Sequence, residues 1–526
     1  MILAGLARLQ LWLMARADRW SVGWRGTASA AVLGVVAAGA LPPLTLVPLL
    51  FVAIPGLLFL IGRAPGWRGA ALRGLVFGLF HHMAGLYWVT NAILVMAAEF
   101  WWAVPIAVPL LALVLAVFIA VPCGLARLAP AGWPRLLVLA GCWVLCDLAR
   151  QFALSGFPWN LLATCWEMPG TLGVVFLQPA AWVGAHGLTL MTVMAAGSFG
   201  LGWRGRFAGC VMLLVWAGAG LVRLQSVAPP TGLTAVLVQN DVPEAEKRDH
   251  GSDPAWVAHI FDRALALTRQ GVAQAGPGAK IVVWPETGSP YALSQDQGAR
   301  LALADAAAPA VMTLSGAERF ESATVAHNSL VAVAPDGRVA AVYDKAHLVP
   351  YGEYFPSYAH FMLGEQGFTP GPGIRTLHLP GLPAIGPLIC YEAIFPSQVV
   401  DEADRPAVLV NITNDAWFGD SAGPRQHLAA ARLRTVEEGL PMLRAANTGI
   451  STVIDAHGRM MARLGLNLRG VLVAPVPGPL PMTLVGRLGL ADPLTLSLLS
   501  CCLGVWLSTR RYNRMRVECK KLEYLS

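Results

Sequence analysis

The 526-residue chain is 56% hydrophobic and only 13% charged, well away from a soluble average. That excludes a single water-soluble domain and a disordered chain, and the length has room for more than one domain. The formal net charge of +7 is no nucleic-acid signature, because residues 224–484 hold 18 Lys+Arg against 24 Asp+Glu and the positive excess lies in the apolar parts and their short flanks.

Apolar stretches near 27–41, 44–62, 72–94, 103–122, 134–149, 172–200 and 207–222 precede the acidic segment, and one near 485–507 follows it. A membrane helix needs about 20 residues, so 27–41, which ends at Pro42-Pro43, and 134–149 are short for spans. Arg8, Arg16, Arg19 and Arg25 precede the first stretch; Arg63, Arg68 and Arg73 separate the second from the third. Arg127 and Arg135 follow the fourth, and Arg204 and Arg206 the sixth. Arg510, Arg511, Arg514, Arg516, Lys520 and Lys521 follow the last. Every second connection is basic, and the alternate ones hold little but Arg150. This pattern predicts about eight spans, both chain ends in the cytoplasm, and the acidic segment outside. The expected division is a membrane domain over 1–223, an extracytoplasmic domain over 224–484, a last span over 485–507 and a basic cytoplasmic tail over 508–526. Thr27-Ala-Ser-Ala precedes the apolar run instead of following it, so no cleaved signal peptide is expected. Asp147 is costly in hydrocarbon and so a functional candidate, or it faces a neighbouring helix. Glu99 with Trp101 and Trp102 reads as an interfacial belt.

In the acidic segment, strand-like runs fall at 233–239, 280–284, 310–314, 329–334, 338–343, 384–389, 407–412 and 451–455. Asp253-Pro254 is a helix start, with Asp as N-cap and Pro in the first turn; Trp256, Ile260, Ala264 and Leu267 mark its apolar face. A second helix is predicted over 424–438. The alternation gives an α/β layered domain. The connection 350–380 is rich in Gly and Pro yet holds Phe355, Tyr358, Phe361, Met362, Leu363 and Phe368. Loops this long are functional or disordered as a rule. This one is expected to be a lid that touches lipid through Phe355, Phe361, Met362 and Leu363, the alternative being a loop packed on its own domain.

Three reactive residues close strand-like runs: Glu286 after Trp284-Pro, Lys345 after Tyr343-Asp, and Cys390 after Leu388-Ile. Cys390 is the one cysteine of residues 224–484; the other eight lie in or beside apolar stretches or in the tail, so no disulfide framework is expected. A thiol attacks a carbonyl as thiolate, and the helix start and Lys345 are both expected to lower its pKa. Each residue also has a plain reading, as a buried apolar cysteine, a loop carboxylate and a solvated lysine. His327, His347 and His427 compete as partners for the sulfur. Together, a carboxylate, an amine and a thiol at strand ends point to covalent thiol catalysis on the rim of a sheet.

Trp284-Pro-Glu286-Thr, Tyr343-Asp-Lys345-Ala-His-Leu and Cys390-Tyr-Glu392, in that order, resemble the nitrilase superfamily, whose members carry a Glu-Lys-Cys triad on an α-β-β-α sandwich. Val238-Gln-Asn-Asp-Val-Pro, His327-Asn-Ser, Val349-Pro-Tyr-Gly-Glu353 and Asn411-Ile-Thr-Asn-Asp-Ala-Trp-Phe-Gly-Asp extend the resemblance, as do Gly423-Pro-Arg-Gln-His and Arg444-Ala-Ala-Asn-Thr-Gly. With seven apolar stretches before and one after, and Gly156-Phe-Pro-Trp-Asn in an outside loop, residues 27–507 resemble the apolipoprotein N-acyltransferase family of Gram-negative bacteria. One departure is Arg248 after Lys247, where that family commonly has an aromatic; a lipid contact at that position is left open.

The resemblance implies a two-step exchange in the inner membrane, with the catalytic domain in the periplasm. Cys390 would take an acyl chain from a membrane phospholipid as a thioester, then pass it to the α-amine of the diacylglyceryl-modified N-terminal cysteine of an apolipoprotein. Glu286 would be the general base, and Lys345 would stabilise the oxyanion with the Tyr391 backbone N–H. Glu353 would support the triad and Glu392 would hold the site loops, while Asn328 and Asn411 read as strand-end hydrogen-bonding residues. No metal, nucleotide or other cofactor is expected, since the chain has neither a Gly-rich phosphate loop nor a His/Cys cluster with zinc spacing. A membrane-anchored amidase that hydrolyses a small amide is the rival enzyme. A binding protein or transporter is the rival from another class, and it predicts a lost triad member.

Overall fold

The computed structural model describes residues 18–96, 100–355 and 367–525. The apolar stretches form helices over Gly23–Ala38, Leu50–Arg63, Gly66–Gly85, Val104–Leu128, Trp133–Phe152, Ala180–Ser198, Gly202–Arg223 and Ala491–Leu525. Among the described residues three helical segments are long and apolar enough to cross a membrane: Trp101–Leu128, Ala180–Arg223 and Ala491–Cys519. Leu50–Arg63 has 14 residues, which rise roughly 21 Å against a hydrocarbon core of about 30 Å. Trp133–Phe152 is 20 residues long but includes Arg135, Asp147 and Arg150, all buried. The long helices carry exposed apolar rows, Leu110, Leu113 and Val117 on one, Leu214 and Val215 on another, and Leu498, Leu499 and Leu503 on the last. Such continuous apolar surface suits hydrocarbon. Close helix contact rests on small residues, as is common in membrane bundles. Gly74 and Gly78 lie against Val104–Leu128, where an added Cβ would sit 2.8 Å from the Ile119 carbonyl and 2.9 Å from the Ala116 Cα.

The acidic segment folds into two sheets. The first runs β11 (Gly470–Pro475), β1 (Thr234–Gln239), β2 (Lys280–Val283), β3 (Met312–Phe320), β4 (Ala326–Val333), β5 (Val339–Asp344). The second runs β10 (Met460–Leu464), β9 (Ser451–Ile454), β8 (Met442–Ala446), β7 (Val408–Thr413), β6 (Ile385–Ile389). β1, β2 and β3 are parallel, as are β6, β7 and β8. Leu237, Val283 and Leu330 from one sheet meet Ile389, Val410 and Leu443 from the other in a shared apolar core. Strands buried on both faces read as continuous apolar runs, which is why the sequence reveals them. Pro254–Gln274 and Gln297–Ala307 cover the outer face of the first sheet, and Ala422–Glu438 covers that of the second. The result is the α-β-β-α sandwich that the resemblance implied.

Three strands lie outside the predicted runs. β8 contains buried Arg444, and β10 and β11 alternate partly exposed residues near the chain end. β11 closes the first sheet by pairing antiparallel with β1, more than 200 residues upstream. The helix expected over 424–438 begins at Ala422, where the Ser421 side chain accepts from the Gly423 N–H. It is buried along almost its whole length, since the apolar helices cover the face that the sheet does not.

Candidate active site

Glu286, Lys345 and Cys390 follow β2, β5 and β6, so the parallel strands and the β5 edge deliver them to one rim of the sandwich. Pro285 ends β2 by removing a backbone donor. The turn that follows lies hard against β3 at Gly316, where a Cβ would fall 2.4 Å from the Pro285 carbonyl and 2.6 Å from the Glu286 Cα.

Lys345 is 1% exposed. Its Nζ donates to Glu286 Oε1 at 3.1 Å and to Glu353 Oε1 at 2.8 Å. Asn328 Nδ2 lies between the same two oxygens, at 2.7 and 2.8 Å. Glu286 Oε2 accepts from the Asn414 N–H at 2.7 Å, and Glu353 Oε2 from the Val349 N–H at 2.7 Å. Burial works against the Lys345 ammonium, but the charges of Glu286 and Glu353 outweigh it and hold its pKa above the ordinary lysine range. Lys345 is therefore a fixed cation and not a base.

Cys390 is 7% exposed and has φ +51°, a left-handed conformation that costs a non-glycine residue about 1–3 kcal/mol and clusters at functional sites. It opens a five-residue 3₁₀ turn, Cys390–Ile394. The expectation of a lowered thiol pKa fails. Burial pushes it up, the Glu286 carboxylate adds to that, and Lys345 opposes it only in part. One short turn and one cation do not offset burial beside a carboxylate.

Glu392 is fully buried and ties the Lys345 loop to the Cys390 turn. Its Oε1 accepts from Tyr343 OH (2.8 Å), the Ala346 N–H (2.7 Å) and the His347 N–H (3.2 Å), and its Oε2 from the Ile389 N–H (2.7 Å). Burial raises its pKa against the pull of these donors. Tyr391 donates from its hydroxyl to the Gly156 carbonyl at 2.7 Å and stacks on Phe157, so Gly156-Phe-Pro-Trp-Asn buttresses the residue after the sulfur. Asn411 Nδ2 donates to the Leu388 carbonyl in the adjacent strand.

Of the competing histidines, His327 lies between the Thr369 carbonyl and Glu321, and His347 stacks on Phe395. His427 approaches Cys390, with Nε2 donating to the Cys390 carbonyl at 3.0 Å and Nδ1 2.7 Å from Asp415 Oδ1. Ligand atoms of Cys390, Asp415 and His427 lie within 4.8 Å of one another. They do not fit a metal centre, because the His427 Nε2 is spent on a carbonyl and Asp415 is paired with Arg444 at 2.9 Å and Thr413 at 3.1 Å. Sequence reasoning assigns no role to Asn414, Asp415 or Arg444 and leaves His427 one of three competitors, although the Asn411, Gly423 and Arg444 motifs contain all four.

Asp147 pairs with Arg150 on its own helix at 2.8 Å, and Arg150 donates to the Trp159 carbonyl at 3.0 Å; it braces the Gly156 loop. Lys247 Nζ donates to Thr287 Oγ1 at 2.9 Å, beside Glu286, whereas Arg248 reaches the Val95 carbonyl in the apolar part. Phe355 is half-buried at the edge of the site loop. Phe361, Met362 and Leu363 lie outside the described residues, as does Glu99; Trp101 and Trp102 are exposed.

Two family models match. Residues 251–479 match "Carbon-nitrogen hydrolase" and residues 33–198 match "Apolipoprotein N-acyltransferase N-terminal domain". The chain is 36% identical over 520 residues to an apolipoprotein N-acyltransferase of Bradyrhizobium diazoefficiens, covering 92% of this chain and 95% of that one. It is 38% identical over 483 residues to one of Sinorhizobium medicae, covering 85% and 89%. It is 35% identical over 491 residues to one of Brucella melitensis, covering 87% and 91%. The chain belongs to the apolipoprotein N-acyltransferase family.

Proposed function

We propose that this protein transfers a fatty acyl chain from a membrane phospholipid, through a Cys390 thioester, to the α-amine of the S-diacylglyceryl N-terminal cysteine of apolipoproteins. The observation that carries the residue roles is the buried constellation in which Lys345 bridges Glu286 and Glu353 next to a lone thiol.

In the first step Glu286 takes the thiol proton as sulfur attacks the ester carbonyl; the raised thiol pKa makes that base necessary. Negative charge develops on the carbonyl oxygen beside the Lys345 ammonium and the Tyr391 backbone N–H. Collapse breaks the ester C–O bond, and the lysophospholipid oxygen leaves with the proton held by Glu286. In the second step the acceptor amine attacks the thioester and gives a proton to Glu286. The same donors hold the oxyanion, and the C–S bond breaks to return the thiol and an amide. Glu353 keeps Lys345 in place, and Glu392 keeps the Lys345 loop and the Cys390 turn in register.

About eight spans would hold the N-terminal helices and the last helix in the inner membrane, with the sandwich in the periplasm and its rim facing the outer leaflet. Support comes from the alternation of basic connections and from the exposed apolar rows on the long helices. Residues 350–380 would be the lid to the lipid. Intact-mass and peptide mass spectrometry after mixing with phospholipid should find a fatty-acyl adduct on Cys390, discharged by a diacylglyceryl peptide with a free N-terminus and retained with an N-acetylated one. An adduct elsewhere, or discharge that ignores the amine, would sink the reading.

A further inference from the structure

Gln426 and His427 are adjacent on Ala422–Glu438, so their side chains leave the helix about 100° apart. One reaches the apolar helices and the other the nucleophile. Gln426 Oε1 accepts from Trp88 Nε1 and Trp159 Nε1, each at 2.9 Å. Its Nε2 donates to the Pro42 carbonyl at 3.1 Å and the Gly85 carbonyl at 3.0 Å. That uses the full capacity of a carboxamide and fixes which way it points, since the flipped amide would face two indole donors with its NH2. All four partners lie in the N-terminal helical part. Gly423, one turn earlier, lets the helix sit on the Trp88 ring, which an added Cβ would meet at 3.0 Å.

His427, whose ring also lies 5.6 Å from that of Trp159, reaches the Cys390 turn. The carbonyl of Cys390 can only accept, so Nε2 is the donor in that 3.0 Å bond. Nδ1 lies 2.7 Å from Asp415 Oδ1 and 3.3 Å from fully buried Arg444, which pairs with Asp415. The peptide Cys390–Tyr391 is planar, so a carbonyl pinned on one side fixes the direction of the Tyr391 N–H on the other.

We propose that His427, braced by Asp415 and Arg444, is the positioning residue for the Tyr391 N–H that receives the oxyanion, and that Gln426 fixes this peptide relative to the membrane helices. The proposal rests on the thioester reading and gives the Gly423-Pro-Arg-Gln-His segment its purpose. The oxyanion donor is then held in a frame set by the helices that meet the lipid, not by the sandwich alone.

The test separates a reaction that needs an oxyanion donor from one that does not. In the full-length protein, acylation of Cys390 by phospholipid is timed by mass spectrometry, and alkylation of Cys390 by iodoacetamide is timed alongside. Alkylation displaces iodide at a saturated carbon and forms no oxyanion. Loss of one oxyanion donor costs about 10²–10³-fold in rate, so His427→Leu should slow acylation by roughly 10²-fold with little change in KM for phospholipid, while alkylation proceeds as in the unaltered protein. His427→Gln, which can still donate to the carbonyl, should recover most of the loss. Gln426→Glu keeps both acceptor roles and loses both donor roles, and it should slow acylation, again sparing alkylation. Equal losses in both reactions, or full acylation in His427→Leu, would overturn the proposal. If His427→Leu does not fold, the comparison of His427→Gln with Gln426→Glu decides the same question: acylation slowed in the second and largely kept in the first supports the proposal, and full acylation in both overturns it. An unaltered protein that forms no Cys390 adduct would sink the thioester reading itself, a failure visible before any variant is made.

Discussion

Lys345→Met offers the sharpest test of the charge arrangement. The Lys345 ammonium lies 3.1 Å from Glu286 and 2.8 Å from Glu353. At an effective dielectric of about 20, each contact carries about 5–6 kcal/mol of Coulomb attraction, most of it offset by the cost of burying the three charges. Removing one partner of a buried pair costs about 3–5 kcal/mol, because the desolvation remains and the attraction is gone. Here two carboxylates that share the Asn328 amide would be left facing each other. For a domain of this size that loss is worth roughly 6–20 °C in Tm. Glu353→Gln alone should also destabilise, since its amide cannot serve Lys345, Asn328 and the Val349 N–H together. The double variant restores the balance of one buried carboxylate without a cation, so its loss should be smaller than the sum of the two single losses by about 1–3 kcal/mol. Fluorescence-detected unfolding in detergent, with phospholipid excluded, measures all four proteins. Additive losses would refute the shared-cation account, and so would a Lys345→Met protein as stable as the parent. Acyl transfer should be lost in both variants that lack Lys345, whatever their stability.

Cys390→Ser should leave the fold intact and abolish both the acyl adduct and turnover, because a serine hydroxyl ionises poorly beside a carboxylate base; normal transfer would end the covalent reading. Burial and then Glu286 hold the thiol above its ordinary range, so the thiolate fraction and the rate of iodoacetamide alkylation should keep climbing through alkaline pH where an exposed cysteine levels off. Glu286→Gln removes one of those causes: alkylation at fixed pH should become faster while phospholipid acylation collapses, and a fall in both would show that Glu286 does not act on the sulfur as a charge. A reporter fused at Gly276 should be active only outside the cytoplasm and one after Arg516 only inside; two fusions on the same side would make the span count odd. Phe361→Asp and Leu363→Asp should slow acylation by phospholipid in bilayers far more than by a short soluble ester, and equal losses on both donors would assign 350–380 a role in supporting the triad.

Glu286, Lys345 and Cys390 are legible as candidates because each ends a run whose pattern is local. Lys280-Ile-Val-Val-Trp-Pro-Glu286 announces a doubly buried strand, a stop and a carboxylate within seven residues. Ala384-Ile-Gly-Pro-Leu-Ile-Cys390 is likewise a buried strand that ends at a reactive residue, and Val339-Ala-Ala-Val-Tyr-Asp-Lys345 is a half-exposed edge strand that ends at one. The apolar helices are legible for the same reason, though not their ends: the fourth stretch is expected over 103–122, and its helix runs Val104–Leu128. What stays hidden depends on distant partners. Arg444 makes β8 read as polar until Asp415, some 30 residues earlier, is seen to neutralise it. β11 shows weak periodicity because it is an outer strand whose register is dictated by β1. The direction of the thiol pKa is misread because the motif displays the turn and the lysine but not the depth of burial, to which the Glu286 carboxylate adds. His427 stands in the Gly423-Pro-Arg-Gln-His motif, but only the fold places it against the Cys390 carbonyl.

The polar character of the contact between the sandwich and the apolar helices decides between a tether and a fixed rim. Arg432 pairs with Glu167 at 2.5 Å, Glu437 Oε1 accepts from the Ala185 N–H, and Gln151 Nε2 donates to the Pro396 carbonyl at 3.0 Å. Arg223 reaches the Val436 and Ala456 carbonyls from the end of its helix. Buried pairs of this kind add little stability over apolar packing, but each becomes expensive when its partner is displaced by a few ångströms. A surface built from them penalises every docking but one. An amidase for a small soluble amide would need only a linker and a sandwich, since its substrate diffuses to the rim from any side. Both reacting groups of an acyl transfer between lipids are confined to the bilayer surface, at a height set by their own anchors. The proposed thioester route needs its thiol held at the matching height, and the buried polar contacts along Ala422–Glu438, directly behind the Cys390 turn, fix that turn against the apolar helices.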